Sequence, residues 1–242
     1  MKRPTIFCHM TMSLDGKIVG DYHNAQGAGV GSQLFYHEAF DQDGQLAPMQ
    51  GWLSGRTTTD DNFTFYQAPD LEENVETVPV GDFIAKNTHD KFYFSVDPHG
   101  KLAWKSNELH YNDTLASVVE ILTEDASNAY KAFLRRLNIS YVIAGDHELD
   151  ERLALDKLTR AFNLTRVMLG GGGVLNWSFI RQGLCDEVSI VLLPGADGTV
   201  GTPSIFMPLT PADHQLVSFK LDHVEQVENV VWLRYTVLPI EK

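Results

Sequence analysis

Apolar residues follow two alternating patterns along the chain. Short runs rich in β-branched and aromatic residues are typical of strands, and the stretches between them carry apolar residues at helical spacing. These patterns predict strands at 5–12, 51–55, 91–96, 117–122, 139–145, 166–169 and 187–195. They predict helices at 29–42 with a cap near Ser32, 56–63, 127–137, 150–162 with Asp150 as N-cap, and 174–183.

The last part of the chain predicts a different arrangement. Two long apolar runs occupy 215–238 and are joined by a turn at Glu228-Asn229. Strands that alternate with helices imply βαβ units and a mostly parallel sheet with helices on both faces, and the closing pair adds an antiparallel hairpin. No linker rich in Pro, Ser or Gly and no repeat interrupts the sequence, so we expect one α/β domain over residues 1–242.

The charge balance narrows the classes of partner. The formal net charge is −13 and the basic residues are scattered, so nucleic acid and anionic membranes are poor partners. No apolar run approaches the length of a membrane span, and the first ten residues do not resemble a signal peptide. Cys8 and Cys185 do not make a disulfide framework, so we expect a cytoplasmic protein.

Four consecutive glycines, Gly170–Gly173, connect a predicted strand to a predicted helix. A helix N-terminus presents unpaired N–H groups, and glycine lets a phosphate approach the backbone without meeting a Cβ. The alternative is a tight loop where helix and strand pack closely. We favour binding of a dinucleotide pyrophosphate, although the spacing is not the G-x-G-x-x-G of a Rossmann domain.

A second glycine-bearing junction occurs in SGRTTTD, residues 54–60. Backbone N–H groups, threonine hydroxyls and Arg56 can together hold a phosphate edge at this predicted helix start. The alternative is a helix capped by threonine, with Arg56 in solvent. One dinucleotide that contacts both junctions is the economical interpretation.

Four segments of the sequence together resemble a known family. MTMSLDGKI, GRTT, YVIAG and GGGGVLNWSFIRQGLCDEVSIVLLP occur in the order seen in the reductase domain of riboflavin biosynthesis, so the resemblance covers nearly the whole chain. It implies a three-layer dihydrofolate-reductase-like α/β fold, a homodimer, and NADPH-dependent reduction of the ribosylamino group of a phosphorylated aminouracil. Two alternatives stay open: an NADPH reductase of a pterin or another small imine or carbonyl, and a non-catalytic nucleotide-binding paralogue.

The resemblance also implies roles for individual residues. Ser13 and Asp15 would face the nicotinamide and the substrate, with an Asx-type turn as the alternative for Asp15. Ser95 would lie near the 2′-phosphate of NADPH. The expected cofactor-binding residues are Gly55, Arg56, Thr57, Thr58, Ser95, Gly145, Gly170, Gly171, Gly172, Gly173 and Val174.

Two departures from the family pattern carry expectations. Gly170 stands where the biosynthetic enzymes commonly have a glutamate that contacts substrate, so we expect weak turnover of the riboflavin precursor. The zinc deaminase domain that often accompanies this reductase needs a Pro-Cys-x-x-Cys segment, which two distant cysteines do not supply. The histidines show no metal-ligand spacing either, so no metal is expected.

Overall fold

The computed structural model describes residues 3–86 and 88–240, which form two compact units. Unit 1 contains Gln50–Thr165 together with residues 3–4, and unit 2 contains Thr5–Met49 and the chain from Arg166 onward. The strands are β1 (Thr5–Met12), β2 (Gly51–Gly55), β3 (Phe92–Val96), β4 (Glu108–Tyr111), β5 (Thr114–Leu122), β6 (Ser140–Ile143), β7 (Arg166–Leu169), β8 (Glu187–Leu192), β9 (Phe219–Val227) and β10 (Val230–Val237). The α-helices are α1 (Ala28–Phe40), α2 (Arg56–Thr59), α3 (Asn128–Arg136), α4 (Glu151–Phe162) and α5 (Gly173–Arg181).

Unit 1 is built around parallel strands. β3 pairs in parallel with β2 and β5, β5 pairs in parallel with β6, and β4 adds an antiparallel partner to the start of β5. The register aligns Ser54 with Ser95 and Ser95 with Glu120, which places three polar side chains in one buried row. α2 continues into a π-helical turn, Asp60–Thr64, directly after β2.

Unit 2 joins parallel strands to the closing hairpin. β1 lies between β7 and β8 and is parallel to both, and β10 is antiparallel to β8 and β9. α1 packs on this sheet at Gly31, where a Cβ would lie 2.0 Å from Cδ2 of Leu193. Glycine at this position lets the helix approach the sheet closely, and a larger residue would require the Leu193 side chain to shift.

Most of the predicted elements are confirmed, with bounds that differ by a few residues. Asp150 caps α4 as predicted, since its carboxylate accepts a hydrogen bond of 2.9 Å from the backbone N–H of Leu153. The turn at Glu228-Asn229 joins β9 and β10, and Glu228 has a positive φ of 52°. The expectation of one domain over residues 1–242 stays a prediction.

Three details differ from the sequence predictions. Ser32 does not cap α1, because this helix begins about one turn earlier. Its N-cap is Gly27, which has a left-handed φ of 88°. β4 was missed because in ELHY only Leu109 is buried, so the segment has little apolar pattern. The strand predicted at 117–122 begins at Thr114, where it forms a hairpin with β4.

None of the helices within 3–86 and 88–240 combines the length and apolar character that crossing a membrane requires. Cys8 and Cys185 are both buried, and neither forms a disulfide.

Candidate functional site

The glycine run in unit 2 forms a turn between β7 and α5. Gly171 has a positive φ of 91°, and Gly172 is the N-cap of α5 with no side chain capping the helix. At Gly173 a Cβ would lie 2.1 Å from the carbonyl oxygen of Ser204. Both interpretations of the run therefore have support: Gly173 is required by packing, and the first turn of α5 keeps backbone N–H groups free of a side-chain cap.

Asn176, in the first turn of α5, was missed by sequence reasoning. Its amide is fully buried, Nδ2 donates a 3.1 Å hydrogen bond to the carbonyl of Ile205, and Oδ1 has no partner among the described residues. The sequence did contain a sign of this residue: an asparagine follows the glycine run by about one helical turn. At that position its side-chain amide can form hydrogen bonds with the loop that faces the helix.

The predicted catalytic residues form a closed turn after β1. Ser13 is buried, donates a 2.6 Å hydrogen bond to Oδ1 of Asp15 and accepts one of 2.9 Å from the backbone N–H of Lys17. Oδ2 of Asp15 lies 3.2 Å from Nζ of Lys17 and accepts a hydrogen bond from the backbone of Gly198. Hydrogen bonding from Ser13 lowers the pKa of Asp15, with smaller contributions from Lys17.

Asp197 completes this charged cluster. Its carboxylate accepts hydrogen bonds from the backbone N–H groups of Thr199 and Asp21, and lies 3.5 Å from Nζ of Lys17. These backbone bonds, with the charge of Lys17, lower the pKa of Asp197 to about 2. Lys17 is thus a cation held in place by two ionised carboxylates.

One segment of unit 2 links the glycine turn to the Ser13–Lys17 turn. Ile18 donates its backbone N–H to the carbonyl of Pro203, and Lys17 forms a β-bridge with Ser204. The carbonyl of the same Ser204 faces Gly173. The structure therefore places the predicted catalytic residues and the predicted pyrophosphate turn on the two sides of 203–205.

The second junction, in unit 1, differs from the threonine-capped alternative. Gly55 occupies the cap of α2 and no side chain caps this helix. Arg56 is about half exposed, and its Nη1 lies 3.3 Å from Oδ2 of the buried Asp60. Thr57 is exposed and Thr58 is half-buried, so the predicted contacts of Gly55, Arg56 and both threonines with a phosphate stay predictions.

Ser95 lies deeper than expected. It is fully buried, and its hydroxyl is 2.9 Å from that of Thr59, which is also 2.7 Å from the hydroxyl of Tyr93. Burial raises the pKa of Tyr93, so this phenol stays neutral. The role assigned to Ser95 at a 2′-phosphate stays a prediction, and its observed role is to anchor α2 to β3.

Two buried carboxyl groups, those of Asp97 and Glu120, lie beyond Ser95. Asp97 starts the turn after β3, since its Oδ2 accepts from the backbone N–H groups of Lys101 and Leu102. Glu120 on β5 accepts from the indole N–H of Trp104. Burial raises the pKa of both carboxyls, and their mutual repulsion adds to the rise for Glu120.

Gly145 and Val174 complete the predicted set. Gly145 has a φ of 111°, and a Cβ there would lie 2.0 Å from the carbonyl oxygen of Glu148, so the loop after β6 requires glycine. Val174 is half-buried in the first turn of α5. Within the described residues, His37, Asp41 and Asp43 bring ligand atoms within 4.8 Å of one another at the surface, a cluster that the histidine spacing had not predicted.

Comparison with known proteins agrees with the family resemblance seen in the sequence. A family model described as the RibD C-terminal domain matches residues 4–233. A 2,5-diamino-6-ribosylamino-4(3H)-pyrimidinone 5′-phosphate reductase from Methanothermobacter thermautotrophicus is 35% identical over 83 residues, which are 34% of this chain and 37% of that protein. A protein of the same name from Aquifex aeolicus is 27% identical over 94 residues, 39% of this chain and 42% of that protein. The matches span less than half the length of either relative.

A solved structure of similar fold is known. The crystal structure of a pyrimidine reductase-like protein from Corynebacterium diphtheriae has a TM-score of 0.64 to this chain at 13% identity, with 98% of this chain and 92% of that one covered. The likeness confirms the α/β fold with a mostly parallel sheet and an antiparallel C-terminal hairpin.

Proposed function

Because the chain belongs to the family of the RibD C-terminal domain, we propose that it is an NADPH-dependent reductase of a phosphorylated aminopyrimidine. The names of the curated relatives support the substrate class, a ribosylamino-pyrimidinone 5′-phosphate. The observation that carries the proposal is the pairing, through 203–205, of the glycine turn with the turn that holds Asp15 and Lys17.

The residues of unit 2 fit a dinucleotide phosphate. The first turn of α5 has no side-chain cap, and its N–H groups have no partner within an α-helix. Gly172 is half-buried and presents no side chain at the cap. In a chain of net charge −13, the backbone dipoles at the start of α5 supply local positive charge for a phosphate.

The chemistry requires binding and orientation more than covalent help. NADPH, when bound, would supply the hydride to the carbon of the sugar imine, and the imine nitrogen would take up a proton from solvent. Lys17 is held between Asp15, whose Oδ2 lies 3.2 Å from its Nζ, and Asp197, at 3.5 Å, so its charge is offset and it fixes the geometry of this turn. Ser13 fixes Asp15 in turn, so this cluster orients groups and need not exchange a proton itself.

A titration followed by a turnover assay tests the proposal. NADPH binding is measured by nicotinamide fluorescence, with NADH as the comparison, and NADPH is expected to bind more tightly. Oxidation of NADPH is then followed with the ribosylamino-pyrimidinone phosphate as substrate. Equal affinity for the two cofactors contradicts the NADPH preference, and NADPH binding without turnover favours the nucleotide-binding alternative.

We also propose that the protein is a homodimer that uses the closing hairpin. Leu221 is 49% exposed and Val224 is 56% exposed, and both lie on β9. A bulge near Asp222 shifts the register, so that Val224 pairs with Leu233 and Leu221 with Tyr235. These side chains lie close together in adjacent strands, and an apolar face of this kind is stabilised by a second copy.

A further inference from the structure

A cavity of about 240 Å³ lies beside the closing hairpin of unit 2. Residues 187–189, at the start of β8, line it together with the residues of β10 that pair with them. At the other end of β8, Leu192 pairs with Met12, the residue before the Ser13–Lys17 turn. Since a strand rises about 3.3 Å per residue, the cavity begins roughly 16 Å from that turn and is a separate place in unit 2.

A β-bulge shapes one side of this cavity. The register between β9 and β10 shifts between Arg234 and Tyr235, which leaves Asp222 without a partner in the ladder. The carboxylate of Asp222 instead accepts hydrogen bonds from the hydroxyl of Thr236 and, at 2.9 Å, from Nζ of Lys220. The bulge thus brings Asp222 to the cavity with its charge already paired.

Arg234 has more distant partners than the carboxylates around it. Glu187 is held by Arg166, whose Nη1 and Nη2 lie 3.0 and 2.9 Å from its two oxygens. Nη2 of Arg234 is 4.0 Å from the same carboxylate, and its Nη1 donates a 3.4 Å hydrogen bond to Gln45. A guanidinium has five N–H donors. Most donors of Arg234 therefore have no close acceptor among the described residues, although only 27% of this side chain is exposed.

The charges around the cavity favour an anion. Three cations, Arg166, Lys220 and Arg234, lie beside the two carboxylates of Glu187 and Asp222. Each carboxylate has a closer cation than Arg234, so the guanidinium of Arg234 is left to bind another group. The whole chain has a formal net charge of −13, so this positive charge is a local property of the cavity.

We propose that the cavity binds a small organic carboxylate, whose two oxygens pair with the guanidinium of Arg234. The planar fork of a guanidinium matches a carboxylate in a bidentate arrangement. Leu46 adds a buried apolar side chain to the lining, which suits an aliphatic group rather than inorganic phosphate. Pockets for drug-sized ligands have roughly 300–1,000 Å³, so this smaller volume suits a short-chain acid.

The apolar surface proposed for the dimer leaves this cavity open. Leu233 and Arg234 are successive residues of β10, so their side chains lie on opposite faces of the sheet. Val224 pairs with Leu233, which places the dimer surface on the face away from Arg234. Binding of a carboxylate therefore requires neither the dimer nor the reductase reaction, and its failure would leave both proposals standing.

Isovalerate is the probe, and its binding is measured by a two-dimensional proton–nitrogen NMR titration of this chain. Its neutral analogue isovaleramide and inorganic phosphate are the comparison compounds. We expect isovalerate to produce saturable shifts of the backbone amides of 187–189 and 234–236, with a dissociation constant in the millimolar range. Both comparison compounds should bind there more weakly, because one has no charge and the other no apolar group.

Four variants separate charge, shape and position. Arg234→Gln keeps the aliphatic part of the side chain and removes the charge, so the dissociation constant should rise about tenfold or more. Arg234→Lys keeps the charge without the fork, so a smaller loss is expected. Thr236→Tyr places a large side chain at an exposed strand position beside the cavity and should also weaken binding. Arg160→Gln is the control, since Arg160 is 66% exposed and pairs with Asp156 in the same helix.

Three results would show that no such site exists: no isovalerate-dependent shift at 187–189 in the wild type, unchanged affinity in Arg234→Gln, or equal affinity for isovaleramide. Phosphate that binds at the same amides as tightly as isovalerate would contradict the organic carboxylate. If Arg234→Gln does not fold, as its NMR spectrum will show, unchanged binding in both Arg234→Lys and Thr236→Tyr contradicts the site instead.

Discussion

Trp104 donates its indole N–H to Oε1 of Glu120, and both side chains are buried in unit 1. Oε2 of Glu120 has no hydrogen-bond partner among the described residues. Burial raises the pKa of Glu120 well above the ordinary value of 4.5, and the charges of Asp97 and Asp60 raise it further. No cation contacts Glu120 in the described residues, so the folded protein favours its protonated form.

We therefore expect stability to fall as pH rises above about 4.5 towards the raised pKa of Glu120. The folded protein retains a proton there that the unfolded chain releases, so the free energy of unfolding decreases with pH. Glu120→Gln stays neutral at every pH and should remove this decrease. Urea midpoints at pH 6 and pH 9 measure it, with the exposed Glu148→Gln as control. An unchanged pH dependence in Glu120→Gln contradicts the prediction.

His9 gives unit 2 the opposite pH dependence. Its ring is fully buried and stacks on Phe35 with centroids 4.3 Å apart, and burial lowers its pKa from 6.5 to about 4. The unfolded chain binds a proton below pH 6.5 that the folded protein does not, so stability is lost as pH falls from 6.5 to 4. The loss is about 3 kcal/mol for a shift of this size.

Chemical denaturation at pH 7 and pH 4.5 checks the role of His9. His9→Gln cannot be protonated, so its free energy of unfolding should decline less over this interval than that of the wild type. The exposed His99→Gln is the matched control, and it should behave as the wild type does. A decline in His9→Gln as steep as the wild type's would assign the acid sensitivity to other groups.

Gly172→Val tests the glycine turn. Gly172 has φ −77° and ψ −171°, an extended conformation that valine adopts readily, so the variant should fold. A side chain there prevents a phosphate from approaching the N–H groups of α5, and we expect NADPH to bind at least about tenfold more weakly, ~1.4 kcal/mol. Calorimetry gives the affinity and circular dichroism the fold. Unchanged affinity in a folded variant rules out this turn as the pyrophosphate site.

A different glycine of the same turn should affect stability first. At Gly173 a Cβ would lie 2.1 Å from a backbone carbonyl oxygen, which cannot move as the end of a flexible side chain can. Gly173→Ala is therefore expected to lower Tm, by contrast with Gly172→Val. Similar Tm values for the two variants would contradict this difference.

Gly170 tests the substrate. It is not among the glycines with positive φ, so Gly170→Glu introduces no left-handed strain. A carboxylate that pairs with a substrate donor contributes about 1–3 kcal/mol, or roughly ten- to a hundredfold in kcat/KM for the aminouracil phosphate. We expect the wild type to turn over this substrate weakly and Gly170→Glu to turn it over faster. Efficient turnover by the wild type would show that Gly170 does not exclude this substrate.

The proposed dimer depends on the exposed apolar residues of β9. Val224→Lys places a charge among Leu221 and Leu233, so the protein should become monomeric at micromolar concentration. Light scattering measures the mass. Val80→Lys changes a residue that is 94% exposed in unit 1 and should not alter it. A monomeric wild type would refute the dimer itself.

The sequence alone was sufficient for the elements with strong local signals. FYFSV is an aromatic and apolar run apart from Ser95, and Asp150 precedes an amphipathic segment, so pattern and capping chemistry predicted β3 and α4. The glycine run also has a local physical meaning, because four residues without Cβ at a strand-to-helix junction allow a close approach to the backbone. The family resemblance followed from the same segments.

Other features depend on residues distant in sequence, and only the tertiary structure decided them. Ser95 was expected near a phosphate but is buried against Thr59. Lys17 forms a β-bridge with Ser204, 187 positions away, and the carbonyl of Ser204 faces Gly173 of the glycine turn. In the sequence Glu120 is one residue of an ordinary strand. Its raised pKa depends on burial in the folded chain and on the nearby Asp97, and Trp104 donates a hydrogen bond to it. Local propensity sets the backbone of a short segment, whereas burial, charge and hydrogen-bond partners are properties of the folded chain and are set by which segments pack together.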